Sequence, residues 1–475
     1  MSDRLRRRDV ALLAAESPTT PMHNATVEIF DPGTSGFDHD ALVALIADRI
    51  AFVPRYRQRL QFVPARLANP VWVDDPDFDL AFHVRRSALP RPGSMDQLRD
   101  LVGRIVSRPL DRHRPLWEVY FIEGLRDGRV ALLSKSHEIL VDGVETVDLG
   151  QVLLDVSPLP KEVLHDDWRP RRLPSATSLM VDAVRESIDE PLTAVRTARS
   201  NVDSALRGLP LPSLPLGPAR RPVPESPLNR ELSEQRRFVA VRTDLEDYRK
   251  IRTEHGGTVN DVILATITGA LRAWLMTRGR SIGGHRSLRA MVPMSVFDDE
   301  LEATSLGSQI TGHLVDLPIG EVSPVVRLHQ VSYAFKAHAE TGRAVAANRL
   351  AGVSGFAPTT FHALGARVAF TQFRKGFNLS ITNVPGPQFP LYAAGAEMVE
   401  TYPVQPLLPG QALAIGVTSY DGSVFYGITA DRDALPDIEV FGHCLTEALE
   451  ELVESASSSR PRAPRGRKKP RKDDT

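Results

Sequence analysis

A run of prolines near the middle of the chain constrains its fold more than any other feature. Seven prolines occur between residues 206 and 227, at positions 210, 212, 215, 218, 222, 224 and 227. Proline has a fixed φ and no backbone N–H, so this segment cannot form an ordinary helix or a central strand. The chain has 475 residues, more than one core usually organises. We therefore predict two domains, residues 1–205 and 236–456, joined by an extended linker over 206–235.

Both halves alternate helical and strand patterns, which predicts an α/β fold. In the first half, two apolar strands flank the hairpin signal Asp127-Gly128, and in the second half two more flank Asp421-Gly422. A helix over residues 245–255 is expected to stop at Gly256-Gly257.

Composition excludes several classes of protein. Hydrophobic residues make up 42% of the chain and charged residues 25%, and the formal charge is −1, as in an ordinary globular protein. The single cysteine, Cys444, rules out a disulfide framework and a cysteine zinc site. No apolar run reaches eighteen residues, and no signal-peptide core follows the N-terminus. The sequence thus predicts a cytoplasmic protein.

The C-terminal segment, residues 457–475, is polar and basic. It has arginine or lysine at positions 460, 462, 465, 467, 468, 469, 471 and 472. Such a segment cannot pack a core, and we expect it to be disordered. It is either a solvated tail or a contact with anionic lipid headgroups, where each cation near the surface adds about 1 kcal/mol. No aromatic residues are interleaved with the charges, so nucleic acid is not an expected partner.

Residues 136–143, Ser-His-Glu-Ile-Leu-Val-Asp-Gly, hold the candidate chemistry. They follow an apolar strand pattern and precede an amphipathic helical pattern. His137, Glu138, Asp142 and Gly143 therefore lie at a strand-to-helix corner, where rigid elements hold side chains in place. Other site types lack their motifs: there is no Walker loop, no Gly-x-Gly-x-x-Gly and no Gly-x-Ser-x-Gly. Val141 replaces the second histidine of a His-Glu-x-x-His zinc helix, so no metal is expected.

The corner resembles the His-His-x-x-x-Asp-Gly signature of the bacterial wax ester synthase/diacylglycerol acyltransferase family, with Glu138 in place of the second histidine. Four other segments resemble family elements in the same order along nearly the whole chain. They are Pro115-Leu116-Trp117, Asn260-Asp261, Asn383 with the Val-Pro-Gly-Pro that follows it, and the Ser-Tyr-Asp-Gly of residues 419–422.

The resemblance implies two chloramphenicol-acetyltransferase-like α/β domains of the CoA-dependent acyltransferase superfamily, with an active-site channel between them. Acyl-CoA is the implied co-substrate, and no other cofactor is expected. Transfer to diacylglycerol would give triacylglycerol, and transfer to a long-chain alcohol would give a wax ester. A polyketide or an amine remains open as another acceptor.

Three interpretations of the corner stay open, because the family's second histidine usually acts as the general base. Glu138 is the base if burial raises its pKa above the reference value of about 4.3. His137, which the family uses structurally, is the base if its ring faces the channel. In the third interpretation the site binds acyl-CoA or lipid without turnover.

The remaining candidates have supporting roles. Asp142 is expected to orient the corner through an ion pair with an arginine that the sequence does not identify. Gly143 either allows close backbone approach or forms a tight turn.

Asn260 and Asp261 either cap a helix or support the channel. Asn383 either donates to the oxyanion or CoA, or forms a turn. Pro115, Leu116 and Trp117 are more typical of packing than of chemistry.

Overall fold

The computed structural model describes residues 3–64, 68–140, 149–159, 168–189, 226–279, 287–296, 309–341, 362, 366–370 and 376–458. Most of the predicted linker, the predicted basic tail beyond residue 458, and Asp142 and Gly143 lie outside these ranges.

The N-terminal half alternates helices and strands, as predicted. Its helices are α1 (Arg7–Ala15), α2 (His39–Arg49), α3 (Leu80–His83), α4 (Met95–Val106), α5 (Leu149–Leu153) and α6 (Ala176–Asp189). Its strands are β1 (His23–Asp31), β2 (Gln58–Gln61), β3 (Val71–Asp74), β4 (Val84–Ala88), β5 (Trp117–Glu123) and β6 (Val130–His137). Short 3-10 turns occur at Ile50–Phe52, Pro54–Arg57, Arg126–Gly128 and Glu138–Leu140. The predicted β5–β6 hairpin is confirmed as an antiparallel pair.

The C-terminal half has the same character. Its helices are α7 (Leu245–His255), α8 (Val259–Thr277), α9 (Pro324–Thr341) and α10 (Ile438–Ser458). Its strands are β7 (Arg236–Asp244), β8 (Leu288–Val296), β9 (Gln309–Leu317), β10 (Leu379–Pro385), β11 (Tyr392–Ala393), β12 (Ala396–Val404), β13 (Leu413–Tyr420) and β14 (Ser423–Asp431). The β13–β14 hairpin at Asp421-Gly422 and the end of α7 at Gly256 are both confirmed.

Two six-stranded sheets form the centre of the molecule. The first has the order β11-β12-β1-β6-β5-β4 and the second has the order β7-β14-β13-β10-β8-β9. The expected mixed α/β fold is thus confirmed. Strand β12 comes from the C-terminal half of the chain yet pairs antiparallel with β1, from Ala25↔Val404 to Asp31↔Glu397. The predicted linker over 206–235 separates the two halves of the chain in sequence. It does not separate the two sheets, because the first sheet contains β11 and β12 from the C-terminal half.

Two glycines let this crossing strand approach the second sheet. Gly416 and Gly427 are cross-strand partners in the β13–β14 hairpin. A Cβ at Gly427 would lie 1.7 Å from the carbonyl oxygen of Pro403 in β12, and one at Gly416 would lie 2.7 Å from the Pro403 Cβ. Any larger side chain there would push the crossing strand away.

Helix α4 joins the two halves on another side. Ser94 and Gln97 form a capping box at its start. Its backbone approaches strand β7 closely, since a Cβ at Gly103 would lie 2.8 Å from the carbonyl oxygen of Arg236. Arg99 also donates to the carbonyl of Ala240 at 2.6 Å. Contacts of this kind fix the first sheet against the second.

Helix α8 is the main core helix of the second half. By length and composition alone it could span a membrane, but 72% of the tested stretch is buried inside the protein. Its side chains from Val262 to Leu271 are buried without interruption. A helix that is apolar all round is expected in the core of a large domain.

Candidate active site

The backbone holds the corner where β6 ends. Strand β1 pairs with β6 so that Asn24 faces Ser136 and His23 faces His137. The His137 N–H donates to the carbonyl of Leu116 at 2.9 Å, and the Glu138 N–H donates to the carbonyl of Met22 at 3.0 Å. The chain then turns into the 3-10 segment Glu138–Leu140. Both side chains therefore start from a fixed main chain.

The carboxyl group of Glu138 is buried, with 1% of the residue exposed. Its Oε1 accepts a hydrogen bond from the side-chain amide of Asn24. Its Oε2 is buried and accepts no hydrogen bond from any residue that the structure describes. Burial raises the pKa of Glu138 well above its ordinary value, although the charge of Arg367 and the bond from Asn24 act in the opposite direction. A buried carboxyl group with one open oxygen can take up or release a proton.

The His137 ring has a hydrogen-bond partner at Nδ1 and a nearby carboxylate at Nε2, although Nε2 makes no hydrogen bond with any residue that the structure describes. Its Nδ1 accepts from the Ile139 N–H at 3.1 Å, so a neutral ring carries its proton on Nε2. That Nε2 lies 3.5 Å from Oε2 of Glu16. Arg112 donates to the same carboxylate oxygen from Nε at 3.0 Å. Both ring nitrogens thus face groups of the protein, and the residue is only 1% exposed.

Glu16 is the negative partner in this arrangement. Burial by itself would raise its pKa, but the interactions with His137 and with the Arg112 guanidinium lower the pKa to about 2. Glu16 is therefore ionised throughout the physiological range. Its carboxylate lies beside Nε2 of His137, whereas Ile139 donates to Nδ1 of the same ring.

Arg367 reaches the corner from the C-terminal half. Its Nη1 donates to the main-chain carbonyl of Glu138 at 2.8 Å. Its Nη2 donates to the carboxylate of Asp9 in helix α1. The predicted ion pair between Asp142 and an arginine stays a prediction, because Asp142 lies outside the described residues. Among the residues that the structure describes, Arg367 pairs with Asp9.

Leu116 and Trp117 are packing residues, as their type predicts. They are 0% and 1% exposed. The Trp117 indole donates to the carbonyl of Tyr56 at 2.7 Å and stacks on His83 with ring centroids 4.6 Å apart. Pro115 is also buried. Through its carbonyl, Leu116 also supports the backbone of His137.

The two residues of the Asn260-Asp261 element have different roles. Asp261 forms a capping box with Thr258, with bonds of 2.9 Å and 3.1 Å, so its predicted capping role is confirmed. Asn260 does not cap the helix: its Oδ1 accepts from Nδ2 of Asn383 at 2.9 Å. Asn383 lies inside β10, so a turn role for it is wrong. The structure therefore brings together Asn260 and Asn383, which the sequence analysis identified separately.

Sequence reasoning missed Asn24, Glu16, Arg112 and Arg367 as neighbours of the corner. Asn24 could have been found, because pairing β1 with β6 places it opposite Ser136, two residues before Glu138. The others had no local signal. Among the residues that the structure describes, no group of three or more His, Cys, Asp or Glu side chains is arranged to hold a metal ion.

Comparison with known families gives two matches that together span most of the chain. Residues 5–263 match the family described as wax ester synthase/diacylglycerol acyltransferase catalytic domain. Residues 306–453 match the WS/DGAT C-terminal domain.

Individual relatives give the same result. A Mycobacterium tuberculosis protein described as probable diacylglycerol O-acyltransferase tgs3 is 38% identical over 263 residues, 54% of this chain and 97% of that protein. Another from the same organism, described as probable diacylglycerol O-acyltransferase tgs1, is 32% identical over 417 residues, 88% of each chain.

Two solved structures are similar to this chain in fold. The wax ester synthase/diacylglycerol acyltransferase from Marinobacter aquaeolei VT8 has a TM-score of 0.66 at 27% identity, covering 96% of this chain and 100% of that one. The first condensation domain of the calcium-dependent antibiotic synthetase has a TM-score of 0.54 at 16% identity, covering 96% of this chain and 97% of that one. The second likeness shows a shared fold alone.

Proposed function

The chain belongs to the wax ester synthase/diacylglycerol acyltransferase family, and we propose that it transfers a long-chain acyl group from acyl-CoA to diacylglycerol. Long-chain alcohols are the second proposed acceptor. One observation carries the mechanistic part of the proposal. Glu138 occupies the position of the second signature histidine, and its Oε2 is buried without a partner among the described residues.

The proposed reaction needs one proton acceptor at this position. The acceptor hydroxyl oxygen attacks the thioester carbonyl carbon while Oε2 of Glu138 takes the hydroxyl proton. A C–O bond forms and gives a tetrahedral oxyanion. When this collapses, the C–S bond breaks and the proton passes from Glu138 to the sulfur, which leaves as the free thiol of CoA. No covalent enzyme intermediate is formed and no cofactor beyond acyl-CoA is required.

The surroundings of Glu138 suit such a role. A carboxylate in water is a weak base, with a pKa of about 4.3. Burial raises the pKa of Glu138 well above that, which strengthens the ionised group as a base. Asn24 holds one oxygen, which leaves the other to accept a proton from a substrate hydroxyl group.

The geometry favours Glu138 over His137 as the base. The His137 ring already accepts from Ile139 on one side and faces Glu16 on the other. Turning the ring toward a substrate would give up both interactions inside a buried site. We therefore propose that His137 supports the corner and that Glu138 reacts.

Release of free CoA thiol from palmitoyl-CoA, with and without diolein, tests the proposal. We expect diolein-dependent release by the wild type. The Glu138→Gln variant should lose at least about two orders of magnitude in rate, because general base catalysis contributes roughly 10²–10⁴-fold. Glu28→Gln is a matched control, since Glu28 is also buried and lies on the same face of β1 as Asn24, about 13 Å further along the strand.

Four other outcomes would change or refine the assignment. Loss of activity in His137→Ala with activity retained in Glu138→Gln would transfer the base role to His137. Release with an amine or polyketide acceptor, but not with diolein or a fatty alcohol, would change the substrate class. Binding of acyl-CoA with no turnover on any acceptor would make the protein a lipid-binding member of the family. A faster Glu138→His variant would show that glutamate attenuates the site.

We also propose that the protein acts in the cytoplasm at the surface of the inner membrane or of a lipid droplet. The support is the basic segment over 457–475 together with the apolar substrates. Cosedimentation with phosphatidylglycerol vesicles should exceed that with phosphatidylcholine vesicles and should fall as salt rises. Truncation after residue 458 should remove the difference. Equal binding by the truncated chain would exclude the tail as the contact.

A further inference from the structure

Three distant segments of the chain meet at one guanidinium beside the corner. Arg367 contacts the Glu138 carbonyl in the first half and Asp9 in the N-terminal helix α1. These partners are 229 and 358 residues away in sequence. Arg367 is 6% exposed, Asp9 is 3% exposed and Glu138 is 1% exposed. The meeting point is therefore inside the protein.

The guanidinium fixes the main chain from which the Glu138 side chain starts. An arginine stays charged in proteins and presents its N–H groups in a rigid fork. One arm of this fork holds the Glu138 carbonyl at 2.8 Å, and the other holds the Asp9 carboxylate. Asn24 separately holds Oε1 of the Glu138 side chain. The backbone and the carboxyl group are thus held at two different points, and Oε2 has no partner in the part of the chain that the structure describes.

The same guanidinium acts on the charge of Glu138. Burial raises the pKa of this carboxyl group, and Arg367 is the largest opposing influence. Asp9 accepts from the other arm of the Arg367 guanidinium, so its negative charge offsets the positive charge that Glu138 experiences. Removing Arg367 and removing the charge of Asp9 should therefore move the proton affinity of Glu138 in opposite directions.

Other charged or titratable groups surround the corner, and none of them is changed when Arg367 or Asp9 is substituted. They are Glu16 after α1, His23 on β1, Arg112 before β5, and Lys135 and His137 on β6.

We infer that Arg367 is a positioning residue for Glu138, because it holds the main chain of Glu138 and its positive charge favours the ionised form of that carboxyl group, and that Asp9 sets the strength of this effect. The inference rests on the proposed function for its catalytic consequence. Its physical content concerns the proton affinity of one carboxyl group, which can be measured without turnover.

Infrared titration of the protonated carboxyl band is the direct test. The band of Glu138 is identified as the one missing in Glu138→Gln. We expect its midpoint to rise by at least about one pH unit, a tenfold change in proton affinity, in Arg367→Gln. Arg367→Lys should restore most of the shift, and Asp9→Asn should lower the midpoint. Arg327→Gln is the matched control, because Arg327 is an equally buried arginine that pairs with Glu451.

Acceptor-dependent CoA release supplies the second readout. The acid limb of kcat/KM should move in the same direction as the infrared midpoint in each variant, with KM little changed. A midpoint that stays fixed in Arg367→Gln and Asp9→Asn would overturn the inference, whatever the activity. Midpoints that shift as expected in a protein with no turnover would sustain the role of Arg367 and refute the proposed function. If Arg367→Gln does not fold, the opposite shift in Asp9→Asn still decides.

Discussion

The two sheets have the same number of strands but bury different chemistry. The first sheet buries ionisable side chains on β1 and β6, among them His23, Glu28, Lys135 and His137. The second sheet buries mainly hydroxyl groups on β10, β13 and β14, among them Ser380, Thr382, Thr418 and Thr429, and its buried ion pair, Arg236–Asp431, joins the first residue of β7 to the last residue of β14. Buried ionisable groups cost far more than buried hydroxyls, so they persist where something requires them. The family signature begins at the end of β6, in the sheet whose strands bury these ionisable side chains.

One carboxylate from each sheet makes the contrast concrete. Asp431 at the end of β14 is 0% exposed, and Glu138 after β6 is 1% exposed. Asp431 accepts from the backbone and hydroxyl of Ser233 at 2.7 and 3.0 Å, from Arg236 at 3.2 Å, and from two further backbone N–H groups. Among the residues that the structure describes, Glu138 accepts from Asn24 alone, and its Oε2 has no hydrogen-bond partner. Equal burial therefore accompanies a fully hydrogen-bonded structural group in one sheet and, in our proposal, a reactive group in the other.

The largest expected effect separates these two carboxylates. Asp431→Asn should reduce the free energy of unfolding by about 3–5 kcal/mol, because it leaves the buried Arg236 without its ion pair. Activity per folded molecule should be unchanged. Glu138→Gln should do the reverse, with a small effect on unfolding. Urea denaturation and CoA release on the same samples check both, and a catalytic defect in folded Asp431→Asn would break the comparison.

Glu16 follows helix α1 and faces His137 at the end of β6, so it tests the cost of a buried charge beside the first sheet. Its pKa is lowered to about 2 from the ordinary 4.5. The folded state then binds fewer protons than the unfolded state between these values, so the stability it contributes is present above pH 4.5 and is lost as pH falls toward 2. Glu16→Gln should lose of the order of 3 kcal/mol at neutral pH and show a flatter acid limb. The exposed Glu439→Gln, measured by the same unfolding titration, should keep the wild-type limb.

The glycine pair of the second sheet tests packing without charge. Gly427→Ala should destabilise by about 2–3 kcal/mol, because the new methyl group would overlap the carbonyl oxygen of Pro403. Gly410→Ala is a control of the opposite kind: it has open space but a φ of +76°, so only backbone strain of about 1 kcal/mol is expected. Thermal unfolding should rank Gly427→Ala as the more harmful. Equal losses would show that β12 can move away from the second sheet.

The smallest effect concerns the cap of α8. Asp261→Ala should cost about 1 kcal/mol of stability, as expected for a lost helix cap, with little change in activity. Asn260→Ala should spare the cap but break the bond to Asn383. A loss of CoA release in Asn260→Ala without a loss of stability would assign that pair to the substrate path. Loss of release in folded Asp261→Ala would contradict the purely structural role.

Local patterns determined most of the secondary structure. The bounds of α4 and α7, the two Asp-Gly hairpins and the glycine stop after α7 follow from periodicity, capping and turn chemistry over a few residues. The motif positions also identified the family and located His137 and Glu138 at the corner. Each of these inferences depends on interactions between residues that are close in sequence.

Only the tertiary structure decided what surrounds the corner. Asn24 and Glu138 are 114 residues apart, and Arg367 and Asp9 are 358 apart. The entry of β12 into the first sheet likewise depends on how the chain crosses between sheets. Periodicity and capping carry no information about such distant pairs, because these patterns report only which face of an element is apolar and where that element ends. The surroundings that tune Glu138 are therefore a property of the assembled fold.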